Sequence, residues 1–201
     1  MKRAIIFFLL LTAPFLFGFN LKNKTEQVKD YLNVPGPIKF DNVSYNLAWS
    51  ANPVANYYKQ EYIIKGDSLE RFNKMVLIDV LEDTLQVKDL VYMKINSLEK
   101  RKKEDAVVNY KLIQSPDSTE YIVDFVLSEG TPIVDFVEWN AYRYTAFTGK
   151  SGKKGVLLFG ISIRSYGNNI PDFFGSLSDM RDKIITELIS YKIPPVIIKN
   201  E

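Results

Sequence analysis

The sequence contains no cysteine and no histidine. Without cysteine the chain can form no disulfide and can carry no lipid-modified cysteine. Without histidine it lacks the commonest general base and the commonest transition-metal ligand. These two absences exclude every nucleophile–base pairing that uses Cys or His. We therefore expect no metal site and no cofactor.

The sequence also has little net charge. It contains 26 Lys and Arg residues against 24 Asp and Glu residues, and two of the basic residues are Lys2 and Arg3. Without those two the formal charges balance. Proteins that bind nucleic acid or anionic membranes ordinarily carry a basic excess on one surface. We therefore expect no nucleic-acid partner.

The first 18 residues have the pattern of a secretory signal peptide. Lys2 and Arg3 precede an apolar run, Ala4–Phe19, which contains Pro14. A membrane-spanning helix needs about 20 predominantly apolar residues, and this run is shorter. We predict that residues 1–18 are cleaved, that no stable membrane span remains after cleavage, and that the protein is exported to the periplasm or the extracellular space.

Beyond the signal peptide, the composition separates a short polar segment from a single domain. Residues 19–36 are polar and end in Pro35-Gly36, which predicts a tether or a short helix. Residues 37–201 are long enough for one domain with a substantial core.

Three long apolar segments between Thr119 and Tyr166 predict a β-meander. They are rich in the β-branched and aromatic residues that favour strands. The segments are Tyr121–Leu127, Val134–Phe147 and Val156–Ile163. The first and the third are apolar on both faces, which predicts that helices cover both faces of the sheet.

Other periodic segments complete the predicted domain. Capping-box spacings at Asp67-Ser-Leu-Glu70 and Asp83-Thr-Leu-Gln86 predict the starts of a short and a longer helix. A wide apolar stripe predicts a last helix over Pro171–Ile193. Further strands are predicted at Val43–Trp49, Ala55–Ile64, Met75–Leu81 and Ala106–Ile113. The fold class is therefore α+β, with a mainly antiparallel sheet of about six to seven strands covered by helices.

This order of elements resembles the PsbP-like α/β/α sandwich over roughly residues 40–193. The resemblance implies a mainly antiparallel sheet between helical layers. It implies no activity, because no motif of that family is present to transfer residue by residue. The quoted segments are also similar to those of small, uncharacterised exported bacterial proteins.

Asp124 is the most prominent candidate site residue. It lies within an apolar strand, where an unpaired carboxylate would be costly to bury. Arg143 and Arg164, near the ends of the next two strands, are its predicted partners. The sequence leaves open whether this carboxylate is solvated, structurally paired or used to orient a ligand.

A second candidate set alternates along the strand predicted at 134–147. Tyrosines that accompany one carboxylate and one amide are suited to holding a sugar or a peptide, although tyrosines also commonly cover sheet surfaces. A strand this long can contain a bulge, so the sequence does not show which of its faces is buried. The set comprises Glu138, Asn140, Tyr142 and Tyr144, with Trp139, Ala141 and Arg143 on the other face.

Three functions are compatible with these features. The first is a non-enzymatic binding or accessory module of the bacterial envelope, whose partner is an envelope protein or a small ligand. The second is a carboxylate-dependent hydrolase that acts on an envelope or extracellular substrate through Asp124 and Glu138. The hydrolase requires that the two carboxylates lie close together on one face. The third is a purely structural envelope protein, which predicts no concave pocket and a persistent apolar surface patch.

Overall fold

The computed structural model of the protein describes residues 28–199, so the predicted signal peptide lies outside the described residues. Within that range the chain forms one antiparallel sheet of eight strands and two α-helices. The strands are β1 (Ile38–Phe40), β2 (Val43–Val54), β3 (Tyr57–Ile64), β4 (Lys74–Glu82), β5 (Asn109–Gln114), β6 (Tyr121–Glu129), β7 (Phe136–Thr148) and β8 (Lys154–Tyr166). The helices are α1 (Val87–Arg101) and α2 (Ile170–Ser190), and a 3₁₀ turn, Gly167–Asn169, precedes α2.

The strand order across the sheet is β1-β2-β3-β4-β8-β7-β6-β5. The predicted meander is confirmed, since β6, β7 and β8 are neighbours in sequence and in space. The sheet has more strands than the six to seven predicted. One strand that the sequence did not indicate is β1, which has three residues and is too short to show a periodicity.

The two helices cover opposite faces of the sheet, as predicted. We call the face that packs on α2 the α2 face, where Trp139 and Ala141 share a core with Ile184 and Leu188. We call the face that packs on α1 the α1 face. Because successive residues of a strand point to opposite faces, neighbours on β7 serve different cores.

The connection between β3 and β4 forms no helix, so the helix predicted to begin at Asp67 is wrong. The predicted cap, Asp67, and its neighbour Ser68 accept hydrogen bonds inside a loop instead. The backbone N–H of Asn73 donates to Asp67 (2.9 Å), and that of Arg71 donates to the Ser68 hydroxyl (3.1 Å). Such local side-chain bonds offer the backbone an alternative to a helix.

The N-cap of helix α1 lies three residues after the predicted cap, Asp83. Gln86 is the N-cap, and its backbone N–H donates to Asp89 at 2.8 Å. Asp83 accepts instead from the backbone N–H of Leu85, at 3.1 Å, within the preceding turn. The capping-box pattern thus occurs in the right region but at a different pair of residues.

Residues 28–36 form neither helix nor strand. Leu32 and Val34 are nevertheless buried in the core of the α2 face. The backbone N–H of Leu32 donates to the Gln60 side chain of β3 at 2.9 Å, and its carbonyl accepts from Ile197 near the C-terminus. This part of the segment predicted as a tether or short helix is therefore packed against the sheet.

Candidate functional site

Asp124 lies on the α2 face and is 3% exposed. Its carboxylate accepts from the indole Nε1 of Trp139 at 2.6 Å and from the guanidinium Nε of Arg181. The predicted partners, Arg143 and Arg164, are therefore wrong. The actual cation comes from α2, and strand spacing carries no information about how a distant helix packs. These bonds tie α2 to the centre of the sheet.

Arg143 also lies on the α2 face, where it binds the end of α2. Its Nη1 donates to the carbonyl oxygens of Leu188 and Tyr191, both at 2.9 Å. Its Nη2 lies 2.7 Å from the Glu120 carboxylate. The last carbonyls of a helix have no partner within the helix, so this arginine supplies one from the sheet.

Replacing Arg143 with alanine is expected to lower the free energy of unfolding by about 1–3 kcal/mol, because the carbonyls at the end of α2 lose a charged donor. Chemical denaturation measures this change. The exposed Lys192, one residue beyond Tyr191, provides the control, since Lys192→Ala should leave the stability nearly unchanged. Equal effects of the two substitutions would contradict the capping role.

Asp124 and Glu138 lie on opposite faces of the sheet. In the β6–β7 register Asp124 is beside Ala141 of the α2 face, whereas Glu138 is beside Leu127 of the α1 face. The sheet therefore separates the two carboxylates. The pair on which the hydrolase hypothesis depends is not formed.

The other predicted site residues meet on the α1 face. Arg164 Nε donates to Glu138, whose second oxygen accepts from the Asn140 amide at 3.0 Å. The Asn140 oxygen accepts in turn from the Ser162 hydroxyl at 2.5 Å. Glu138 is 2% exposed and Asn140 is fully buried, so the pairing replaces the water that both side chains lose.

The tyrosines of β7 extend this network across the same face. Tyr142 lies over Gly160 of β8, where a Cβ atom would come within 2.7 Å of the ring. Burial raises the pKa of the Tyr142 hydroxyl well above its usual range, with a further contribution from the charge of Glu138. The hydroxyl of Tyr144 is fully buried and has no hydrogen-bond partner in the described part of the chain.

Asp79 of β4 adds a second carboxylate that the sequence analysis did not select. Its Oδ2 accepts from the Tyr57 hydroxyl at 2.6 Å and lies 3.3 Å from the Lys59 ammonium. Its Oδ1 is fully buried and finds no hydrogen-bond partner within residues 28–199. Asp79 and Tyr144 occupy the same row of the sheet, with Leu158 between them.

Lys94 of α1 is the cation that lies over this network. It is 5% exposed, and its ammonium is 4.2 Å from the ring centre of Phe125 and 5.3 Å from that of Tyr142. Within residues 28–199 no carboxylate lies within salt-bridge distance of it, and no acceptor is hydrogen-bonded to it. Burial lowers the pKa of Lys94 to about 8, although the Glu138 carboxylate acts to raise it.

Glu61 of β3 lies on the α1 face opposite Leu77 of β4. Burial raises the pKa of its carboxyl to about 7, while the Lys59 ammonium acts in the opposite direction. Both side chains are only half-buried, so the network reaches solvent along β3. We call the whole set the polar cluster: Lys59, Glu61, Asp79, Lys94, Glu138, Asn140, Tyr142, Tyr144, Ser162 and Arg164.

The raised pKa of Glu61 predicts a pH-dependent stability. The folded protein holds this proton more tightly than the unfolded chain does, so the free energy of unfolding should fall as the pH rises from 4.5 to about 7. Replacing Glu61 with glutamine should remove a fall on the order of 1 kcal/mol, after allowance for partial exposure. Denaturation of both proteins across this range measures the difference.

The exposed Glu104 is the matched control, because Glu104→Gln should leave the pH profile of the parent protein unchanged. If Glu61→Gln also kept the parent profile, the Glu61 carboxyl of the parent protein would titrate as an ordinary surface group.

Two residues of the polar cluster could have been found from the sequence. Lys94 falls within the apolar stripe of α1, three residues from Val91 and four from Leu98. A lysine at such a position is predicted to be buried. Asp79 interrupts an apolar strand just as Asp124 does. Glu61 and Ser162 give no such signal, because both lie in strands with other polar residues.

A surface groove of about 340 Å³ lies elsewhere on the molecule. It is lined by residues 33–39 together with Tyr191, Pro194 and Pro195. It contains none of the predicted site residues and no member of the polar cluster. The chemistry of the α1 face therefore does not coincide with this groove.

The helices of residues 28–199 include none that is long and apolar enough to cross a membrane. In the same range no three acidic side chains are grouped so that they could hold a metal ion.

A protein-family model matches residues 32–193. The chain belongs to that family. The matched range includes all eight strands, both helices and every residue of the polar cluster. The comparisons with curated proteins and with solved structures find no match.

Proposed function

We propose that this protein is a non-enzymatic binding module of the bacterial envelope, which holds a small polar ligand at the polar cluster. One observation carries the proposal. Lys94 is 5% exposed, its ammonium lies against two aromatic rings, and it has no salt-bridge or hydrogen-bond partner among the described residues. A buried charge without a partner costs free energy, and such groups are found preferentially at functional sites.

Two of the three carboxylates of the polar cluster are already in ion pairs, and the third, Glu61, interacts with the charge of Lys59. Glu138 pairs with Arg164, and Asp79 pairs with Lys59. Two further polar atoms of the cluster, Oδ1 of Asp79 and the hydroxyl of Tyr144, are fully buried and have no hydrogen-bond partner among the described residues. A ligand with several polar atoms would supply partners for these groups.

Solvent access along β3 supports a ligand that enters from that side. Lys59 and Glu61 are half-buried there, and Trp49, which faces Glu61 across the β2–β3 register, is 37% exposed. An exposed tryptophan beside charged side chains is suited to the flat face of a small molecule. The surface of a folded partner protein could not reach Lys94, because that residue is 5% exposed.

The proposal retains the location predicted from the sequence. The chain is taken to be exported through cleavage of residues 1–18 and to act in the periplasm or the extracellular space. The likeness to PsbP-like sandwiches, which rests on the order of elements, is part of the same proposal. This likeness assigns no activity, so the proposed function rests on the polar cluster alone.

Mass spectrometry of protein isolated gently from its own host tests this proposal. Under denaturing conditions we expect the mass of a chain that lacks residues 1–18. Under native conditions we expect an additional mass below about 1 kDa, which denaturation removes. The Lys94→Met variant, isolated in parallel, should carry less of it.

Two results would count against the proposal. An added mass the size of a protein would favour a macromolecular partner. A bare chain that also gains no mass from a metabolite extract of the host would contradict a small-ligand function. An intact segment 1–18 would overturn the export prediction alone.

A further inference from the structure

We infer that the ligand carries an anionic group, a carboxylate or a phosphate, which pairs with the ammonium of Lys94. This inference rests on the proposed function and adds the chemical class of the ligand. It depends on which charged groups near Lys94 already have salt-bridge partners inside the protein.

The carboxylates around Lys94 are already engaged. Both oxygens of Glu138 accept hydrogen bonds, from Arg164 and from Asn140. The Oδ2 atom of Asp79 accepts from Tyr57 and lies beside Lys59. Lys94 is therefore a buried cation of the cluster with no carboxylate of the described residues within salt-bridge distance, and an anion is the group that would pair with it directly.

A ligand cation does not fit the same surroundings. Lys59 and Arg101 act on Lys94 as like charges, and Arg164 adds a further positive charge to the cluster. A positively charged ligand group at Lys94 would meet the ammonium itself and the two like charges that already act on it. A neutral ligand would leave the ammonium without an anion within salt-bridge distance.

The bonding capacity of Lys94 is also suited to an anion. An ammonium has three N–H donors. The rings of Phe125 and Tyr142 lie on one side of it and interact with the charge without accepting strong hydrogen bonds. Donors therefore remain for the oxygens of a carboxylate or a phosphate, whose charge-assisted bonds are the stronger kind.

A second group of the cluster narrows the ligand class further. Oδ1 of Asp79 is a buried acceptor that lacks a donor, and Asp79 acts electrostatically on Lys94. A hydroxyl or amino group on the ligand would donate to this oxygen. A small anion that also carries a hydrogen-bond donor, such as a hydroxy acid or a phosphorylated alcohol, would supply partners for both groups.

Titration calorimetry with four probes tests the inference on the mature protein. The probes are lactate, inorganic phosphate, neutral glycerol and cationic ethanolamine. We expect at least one of the two anions to bind. The anion that binds more tightly shows whether the ligand group is a carboxylate or a phosphate. Lys94→Met should weaken the binding of that anion at least tenfold. The exposed Lys88 of the same helix provides the control, since Lys88→Met should bind like the parent protein.

Proton uptake gives a readout that a purely structural lysine would not produce. Pairing with an anion raises the pKa of Lys94 from its value of about 8. Slightly above that pH, anion binding should therefore take up a proton, and the measured heat should depend on the ionisation enthalpy of the buffer. Lys94→Met should abolish the dependence, and Lys88→Met should retain it.

The outcomes separate this inference from the proposed function. Either of two results would refute the anionic class: glycerol or ethanolamine binds as tightly as the anions, or Lys94→Met leaves anion binding unchanged. So would a neutral ligand identified by native mass spectrometry, although the binding function would then stand. The absence of anion binding together with a bare native chain would overturn both.

Discussion

Replacing Glu138 with alanine is expected to lower the free energy of unfolding by about 3–5 kcal/mol, the largest loss that we predict for this protein. The carboxylate is 2% exposed and pairs with Arg164 and Asn140. Its removal leaves a largely buried guanidinium without a counter-charge and an amide without an acceptor. Urea denaturation of the parent and variant proteins measures the loss.

A double variant distinguishes the pairing from simple packing. When both members of a buried ion pair are replaced by apolar side chains, stability is often retained. Glu138→Met combined with Arg164→Met should therefore recover much of the loss that either single substitution causes. A single Glu138 variant that loses less than about 1 kcal/mol would show that water already solvates the pair.

Replacing Lys94 with methionine is expected to raise the free energy of unfolding by about 2 kcal/mol at neutral pH. Burial lowers the pKa of Lys94 from 10.5 to about 8, so keeping its charge in the folded state costs about 3 kcal/mol. Methionine has a similar length and also contacts aromatic rings favourably. The loss of the cation–π contacts offsets part of the gain.

The pH dependence of this gain identifies its cause. Below about pH 8 the folded and unfolded chains both carry the proton, and the gain is complete. Between 8 and 10.5 the unfolded chain binds more protons than the folded one, so the parent protein becomes more stable and the gain shrinks. It should vanish above that window, and Lys88→Met should give no gain at any pH.

A gain from Lys94→Met would mean that the native residue lowers stability. A residue that destabilises the fold and faces a polar cluster is explained by function better than by packing. A loss of stability at neutral pH, or a gain that persists above the pKa of a free lysine, would remove this argument.

Periodicity was sufficient to predict much of the fold. Alternation and long apolar runs located β6, β7 and β8, and their apolar faces predicted helices on both sides. Caps and short elements were not predictable in the same way. The side chain of Asp67 had two competing backbone donors, in a loop and in a helix, and only tertiary packing decides between them.

The candidate site was predictable where it depends on a single strand. Because β7 pairs with β8 without interruption, alternation alone places Glu138, Asn140, Tyr142 and Tyr144 on one face. Contacts between distant elements were not predictable. Arg181 reaches Asp124 from α2, and Lys94 reaches the cluster from α1, and neither packing arrangement is encoded in strand spacing.

The pKa of Lys94 in the folded protein is the measurement that most directly tests the central claim. Carbon-13 labelling of the lysines, with Lys94→Met to assign the signal, allows its titration to be followed by NMR. We predict a midpoint near 8, well below the ordinary value of 10.5, which corresponds to a buried ammonium that lacks a partner. A midpoint at or above the ordinary value would show that water or a carboxylate already satisfies Lys94. Such a midpoint would contradict the proposal that Lys94 binds a ligand.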